Sequence, residues 1–186
     1  MQLRRLLATT ALALVAATSL AACGEEETSN GKTEGVYVTT GDLKYQVQIS
    51  RQLNPHDFED HDYLVGRTGA NANLKPNEDW FGVFLRVRNT SDAPHQSASR
   101  FYIEDTTGQR FDPVTLNQSV NVVAYKPLVV GPGDQLPVPG SLARENPTQG
   151  GLVLFKVPVS SFANRPLVLH IEPAEGGQEA TVDLDV

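Results

Sequence analysis

Trp80-Phe81-Gly82-Val83-Phe84-Leu85-Arg86-Val87-Arg88-Asn89 is the stretch on which the fold turns. Phe81, Val83, Leu85 and Val87 recur at every second residue and define one apolar face, while Arg86 and Arg88 bring the opposite face to water. Trp80 and Phe84 lie on that second face, so part of it is apolar as well. Upstream, Leu43, Tyr45, Val47 and Ile49 alternate with Lys44, Gln46, Gln48 and Ser50, which predicts a second half-buried strand. Downstream, shorter strands are expected at 101–103, 109–111, 120–125, 152–157, 167–171 and 181–186. Asp105-Thr106-Thr107-Gly108 reads as a hairpin turn, because Gly108 takes the left-handed backbone conformation without a Cβ clash. Between Lys126 and Gly151, Pro127, Pro132, Pro137, Pro139 and Pro147 confine any strand to a sheet edge, where missing N–H donors do no harm. Many short strands with no long amphipathic helix predict an all-β, two-sheet antiparallel sandwich.

The 186 residues, 40% hydrophobic and 20% charged, suit one domain with an appendage. A single cysteine excludes an internal disulfide framework, a Cys-based zinc site and a Cys-x-x-Cys redox centre. The one methionine, Met1, leaves no thioether for copper. A formal charge of −7 argues against nucleic acid, whose phosphates need a basic face.

The appendage is N-terminal. Arg4 and Arg5 precede an apolar run from Leu6 to Ala17, which falls short of the ~20 residues of a membrane span and reads as an export signal. It ends in Leu20-Ala21-Ala22-Cys23, which resembles the bacterial lipobox. That resemblance implies cleavage between Ala22 and Cys23, diacylglycerol on the Cys23 thiol, and an extracytoplasmic protein attached to the cell membrane through lipid. Removing residues 1–22 takes Arg4 and Arg5 with it, so the formal charge becomes −9 and the body is repelled by an anionic leaflet. Residues 24–35 carry almost nothing apolar and several charges and glycines, which predicts a solvated spacer. The expected organisation is a signal peptide at 1–22, a lipidated cysteine and acidic tether at 23–35, and a sandwich domain at 36–186.

Four segments carry a family resemblance: Trp80 to Asn89, Phe101-Tyr102-Ile103-Glu104-Asp105 with Gly108, Val130-Gly131-Pro132-Gly133, and Gly151 to Pro158 with its Phe155-Lys156-Val157-Pro158 end. Together they resemble the immunoglobulin-like domain of unknown function common in bacterial, especially actinobacterial, lipoproteins, a family similar in fold to the secreted mycobacterial immunoprotective antigens. The resemblance covers about residues 42–172 and implies an immunoglobulin-like sandwich and a non-enzymatic lipoprotein module, with no catalytic residue to transfer.

Residues 54–79 interrupt the strand pattern where a hairpin loop needs only a few residues. Asn54 as cap, Pro55 in the first turn and Gly66 as stop predict a short helical insertion near 55–64, followed by an exposed loop at 67–79. Two roles are open for this insertion. Phe58, Tyr63, Leu64 and Val65 fold back over Trp80 and Phe84, or Asp57, Asp60, Asp62, Tyr63, Trp80 and Phe84 form a surface for a basic envelope protein or polymer, with Tyr63 or Trp80 as aromatic anchor. The alternative chemistry is a divalent metal held by His56, Asp57, Asp60 and His61, although on a helix Asp57 pairs with His61 and His56 with Asp60 on separate faces. His95 and His170 read as surface histidines, and Asp183 and Asp185 as solubilising carboxylates on a terminal strand. No Gly-x-Ser-x-Gly turn follows a strand and the Gly-Pro-Gly turn at 131–133 opens no helix, so neither a hydrolase, a phosphate cradle nor a cofactor is expected.

Overall fold

The computed structural model describes residues 28–186. In chain order these form β1 (Asn30–Gly31), β2 (Tyr37–Thr40), β3 (Leu43–Leu53), α1 (Phe58–Leu64), β4 (Arg67–Thr68), β5 (Glu78–Asn89), β6 (His95–Gln96), β7 (Arg100–Glu104), β8 (Arg110–Phe111) and β9 (Thr115–Leu116). There follow β10 (Val129–Val130), β11 (Gln135–Leu136), α2 (Leu142–Glu145), β12 (Gly151–Pro158), a 3-10 turn Val159–Ala163, β13 (Leu167–Glu172) and β14 (Ala180–Leu184).

Two sheets face each other. One runs β1-β14-β13-β7-β8; in the other β5 lies beside β3, which lies beside β2, and its far side is taken by β12 and, at Val87 and Arg88, by β11. The alternation in Trp80 to Asn89 is realised as expected: Phe81, Val83, Leu85 and Val87 are fully buried between the sheets with Tyr45, Val47, Phe155 and Val157, against Phe101, Ile103, Leu169, Ile171 and Val182 of the opposite sheet. Tyr45 brings a hydroxyl into this layer. Its hydroxyl oxygen accepts from the Ala98 N–H at 2.8 Å, and burial pushes its pKa up to about 12. The proline-rich stretch does lie at a sheet edge, through β11.

A third layer covers the outside of the β5 sheet. Trp80 (2% exposed) and Phe84 (0%) meet Leu53, Tyr63, Leu64, Val114, Val123, Ala143, Leu152 and Leu154 in a cluster separate from the main core. Gly82 sits in the middle of this face because a Cβ there would stand 3.0 Å from Leu53 Cδ1 and 3.1 Å from Leu152 Cδ1. The larger neighbours close over the backbone instead.

Five local expectations are corrected. The β3 alternation breaks at a bulge between Val47 and Ile49, which turns Ile49 to the outer face beside Phe84 and leaves it 40% exposed. The helix begins at Phe58 rather than Pro55: Asp57 caps it, accepting from Glu59 N at 2.8 Å, while the Asn54 side chain spends its oxygen on His56 N in a preceding turn. The 67–79 loop contains β4, which pairs with β9. Residues 120–125 are turn, not strand, because Asn121 donates from Nδ2 to the carbonyls of Tyr63 and Val65, both at 3.0 Å, and accepts from Val123 N at 3.2 Å. The spacer is also shorter than expected. β1 pairs in parallel with β14, and Glu34 accepts from Ser50 N at 2.9 Å and Asp185 N at 3.1 Å, so residues 28–35 are part of the folded body expected to begin at residue 36.

The hairpin from β7 to β8 carries an acid-sensitive joint. Burial alone would raise the Asp105 carboxyl, but donors from the Thr107 hydroxyl, Gln109 N, Asn164 Nδ2 and Thr107 N outweigh it and hold its pKa at about 2. Because the folded-state pKa is depressed from 3.8, this contribution to stability is complete above that value and disappears as pH falls toward 2. Acid melts of the chain and of Asp105→Asn are therefore expected to converge below that window and to separate above it. Parallel curves throughout would mean that the turn does not prefer the charged carboxylate.

Candidate functional site

The six residues expected to form a partner surface divide between surface and interior. Asp57 and Asp62 are exposed. Asp60, expected as part of an acidic rim, is instead 4% exposed and turned inward, where it accepts from Arg51 Nη2 at 2.5 Å and Asn54 N at 2.7 Å. Tyr63 (6% exposed) packs edge-on against Phe84, ring centroids 5.1 Å apart, and Trp80 lies beneath the Arg67 guanidinium at 4.7 Å. The aromatic anchors are therefore interior and the insertion covers the Trp80 face. The cover differs from expectation in two respects: Phe58 points to water, 93% exposed, and Val65 stays outside the covering cluster, half-buried in the wall of a recess.

The same placements dissolve the metal alternative. Asp57 is committed to its helix cap and Asp60 to Arg51, while His61 is largely exposed with Nδ1 3.5 Å from Asp62. Among the described residues no group of three or more His, Cys, Asp or Glu side chains could hold an ion. Ala22 and Cys23, the expected cleavage and lipidation residues, lie outside the described residues.

Two other histidines acquire partners that the sequence did not indicate. His170 stacks on Tyr102 (4.2 Å, 11° between planes) with Nδ1 2.6 Å from Glu179, and Arg110 lies 3.8 Å over the other side of that tyrosine ring system. His95 Nε2 is 2.9 Å from Ser91 Oγ and its Nδ1 3.5 Å from Asp42. The second group has the atom types of a nucleophile, a base and an orienting acid. Its geometry serves a turn: the single Ser91 hydroxyl proton has Asn89 Oδ1 at 2.8 Å and the Ala93 carbonyl at 3.0 Å as competing acceptors, and the adjoining recess of about 30 Å³ holds no more than a water.

Two recesses have the size or character of binding sites. At the proline-rich edge, a hollow of about 110 Å³ is walled by Tyr125, Leu136 and Ala143 and rimmed by half-exposed Val122, Leu128 and Val138. Between α1 and β4 a larger cavity of about 390 Å³ is lined by Arg67, His61 and Asn73 together with Leu64, Val65 and Ala72. Its size falls within the range of small-molecule sites. The 112–125 segment braces it from behind, since Asn121 holds the carbonyls of Tyr63 and Val65 and Asn117 N donates to the Gly66 carbonyl at 2.7 Å. Arg67 is the functional candidate that sequence reading passed over. The available signal was its charge, one of two basic residues in an otherwise acidic 54–79 stretch.

No protein-family model matches the chain and no curated protein matches it. Among solved structures it is similar to the yjhA protein from Bacillus subtilis, with a TM-score of 0.57 and 11% identity over 83% of this chain and 99% of that one. An uncharacterized beta-sandwich protein from Clostridium difficile 630 matches with a TM-score of 0.42 and 9% identity, over 83% of this chain and 95% of that one. The architecture is thus a β-sandwich, its strands antiparallel among the described residues in all but the β1–β14 pairing, with one short helix in its insertion.

Proposed function

We propose that the chain is a lipid-anchored, extracytoplasmic immunoglobulin-like module of the bacterial cell envelope that binds rather than catalyses, using the cavity between α1 and β4. The observation that carries this reading is the construction of that cavity. Leu64 in its wall packs into the Trp80–Phe84 cluster on the β5 sheet, the Asn121 side-chain amide fastens the carbonyls of Tyr63 and Val65, and its lining contains a fixed cation, Arg67. A site held on rigid elements loses little entropy when a ligand arrives. The Ser91 group supports the non-enzymatic part, because its hydroxyl is engaged in its own turn and the adjoining recess holds no more than a water. The acidic body and the lipobox-like Leu20 to Cys23 segment support the membrane-anchored, nucleic-acid-free part.

Ala72→Phe tests the location. Ala72 lines the cavity, and a phenylalanine there fills it without touching the core. Chemical cross-linking of the full lipidated chain in whole cells is expected to capture a set of envelope components that Ala72→Phe loses while its membrane partition and melting temperature stay unchanged. An unchanged set would remove the cavity from the reading and move the site to the hollow at the proline-rich edge.

A further inference from the structure

Arginines in this acidic chain commonly meet carboxylates: Arg51 pairs with Asp60, Arg100 with Glu172 and Arg110 with Asp112. Arg67 forms no ion pair with a carboxylate among the described residues. Its guanidinium is nonetheless held in place on three sides. The plane lies 4.7 Å over the Trp80 ring, Nε donates to the Ala72 carbonyl at 3.2 Å, and Nη1 donates to the Leu64 carbonyl. Nη2 takes part in neither of these hydrogen bonds. Burial lowers the Arg67 pKa from its ordinary value, the direction expected for a cation whose water has been partly removed without an anion to replace it.

The cavity in front of this group is free of carboxylates. His61 and Asn73 supply hydrogen-bonding edges, and Leu64, Val65 and Ala72 supply apolar wall. One fixed cation beside an apolar wall suits a ligand with one negative charge and a short hydrocarbon body. A phosphate dianion would ask for more donors than a guanidinium that has already committed two of its N–H groups to backbone carbonyls.

Resting on the cavity as the binding site, we propose that its ligand is an organic carboxylate carried at the end of a short apolar chain, with the carboxylate on the exposed side of the Arg67 guanidinium and the chain along Leu64, Val65 and Ala72. The carboxylate could belong to a free acid or to the C-terminus of a peptide. In either case the recognition chemistry is the same.

Trp80 is the chain's single tryptophan and lies directly under the responding group, so its fluorescence reports occupancy. The full chain in detergent is titrated with hexanoate, with N-acetyl-alanyl-alanine, with hexanamide and with inorganic phosphate. Hexanoate or the peptide is expected to give a saturable change in emission, and whichever of the two binds more tightly identifies the source. Hexanamide and phosphate are expected to give none. Arg67→Gln is expected to weaken binding by about tenfold or more through loss of a charge-assisted hydrogen bond. Because Arg67→Gln also releases two backbone carbonyls, Arg67→Lys serves as the second variant: it keeps the charge and loses the fork, and a folded Arg67→Lys that binds hexanoate as tightly as the parent overturns the role of the guanidinium. Equal responses to hexanoate and hexanamide, or displacement of hexanoate by phosphate, overturn the carboxylate. If neither carboxylate binds while Ala72→Phe still strips cross-linked components from the chain, the ligand class fails and the cavity reading survives. If Ala72→Phe also changes nothing, both fail together.

Discussion

Phe155→Ala is expected to lower the free energy of unfolding by about 3–5 kcal/mol, a large share of the ~5–15 kcal/mol that holds a typical domain together. Phe155 has no exposed surface and sits in the middle of β12, paired with Phe81 on β5 and facing the opposite sheet. Phe81 is itself pinned, with its ring 5.6 Å from that of Phe162. A cavity at this position is enclosed by two hydrogen-bonded sheets and a neighbouring aromatic pair, so little can collapse into it, and the cost includes the empty volume as well as the lost transfer of the ring from water. Phe58→Ala is the control. The same deletion at a residue 93% exposed should change stability by no more than about 0.5 kcal/mol. Urea melts of both variants check the pair, and a Phe155→Ala loss below about 1 kcal/mol would show that the sheets close over the gap, contrary to a packed inter-sheet layer.

Phe155 and Leu85 could be placed in the core from sequence because both lie on strongly apolar strands, and for Leu85 the period-two signal also records which side of the strand faces away from water. The signal also exposed the double character of β5: Trp80 and Phe84 on the second face announced that something apolar must cover it. What covers it was only partly legible. Tyr63 and Leu64 came from the insertion as expected, but Val114 and Ala143 come from stretches with no usable period, and Val123 comes from a stretch misread as strand, in which Asn121 holds the insertion's carbonyls and the Val123 N–H. The same physics hid the other features. Asp60 reads as one more acid in an acidic run until Arg51, on a neighbouring strand, is brought to it. Glu34 and Thr33 look like spacer until the chain terminus lays Asp185 beside them. A polar contact between residues far apart in sequence leaves no periodic trace at either end, so charge and composition report where such groups are and not whom they meet. The β3 bulge is a further case, since one extra residue flips Ile49 to the outer face without changing the local composition.

The second large effect is expected from Cys23→Ala, which on the proposed anchor moves the protein from the membrane pellet to the soluble or precursor fraction. Attachment through lipid is close to all-or-none: a single acyl chain gives only marginal, reversible binding at ~0.8 kcal/mol per buried methylene, whereas the two chains of a diacylglyceryl group hold stably. The body offers no substitute, because its formal charge after loss of residues 1–22 is −9 and an anionic leaflet repels it. Salt separates the two modes of attachment, since washing at high ionic strength screens charge contacts and leaves a hydrocarbon anchor in place. The parent chain should therefore stay in the pellet through a salt wash, and Cys23→Ala should be absent from it before the wash. Equal partition of the two would overturn the anchor. With β1 paired to β14 and Glu34 bound to Ser50 and Asp185, residues 28–35 belong to the folded body rather than to a spacer. The described body begins at the β2–β3 turn end, where Thr39 N donates to the Thr28 carbonyl at 2.7 Å. The cavity between α1 and β4 lies beyond the Leu53 end of β3, at the opposite end of the strands, so on the proposed anchor the binding site is separated from the end at which the lipidated segment joins the body.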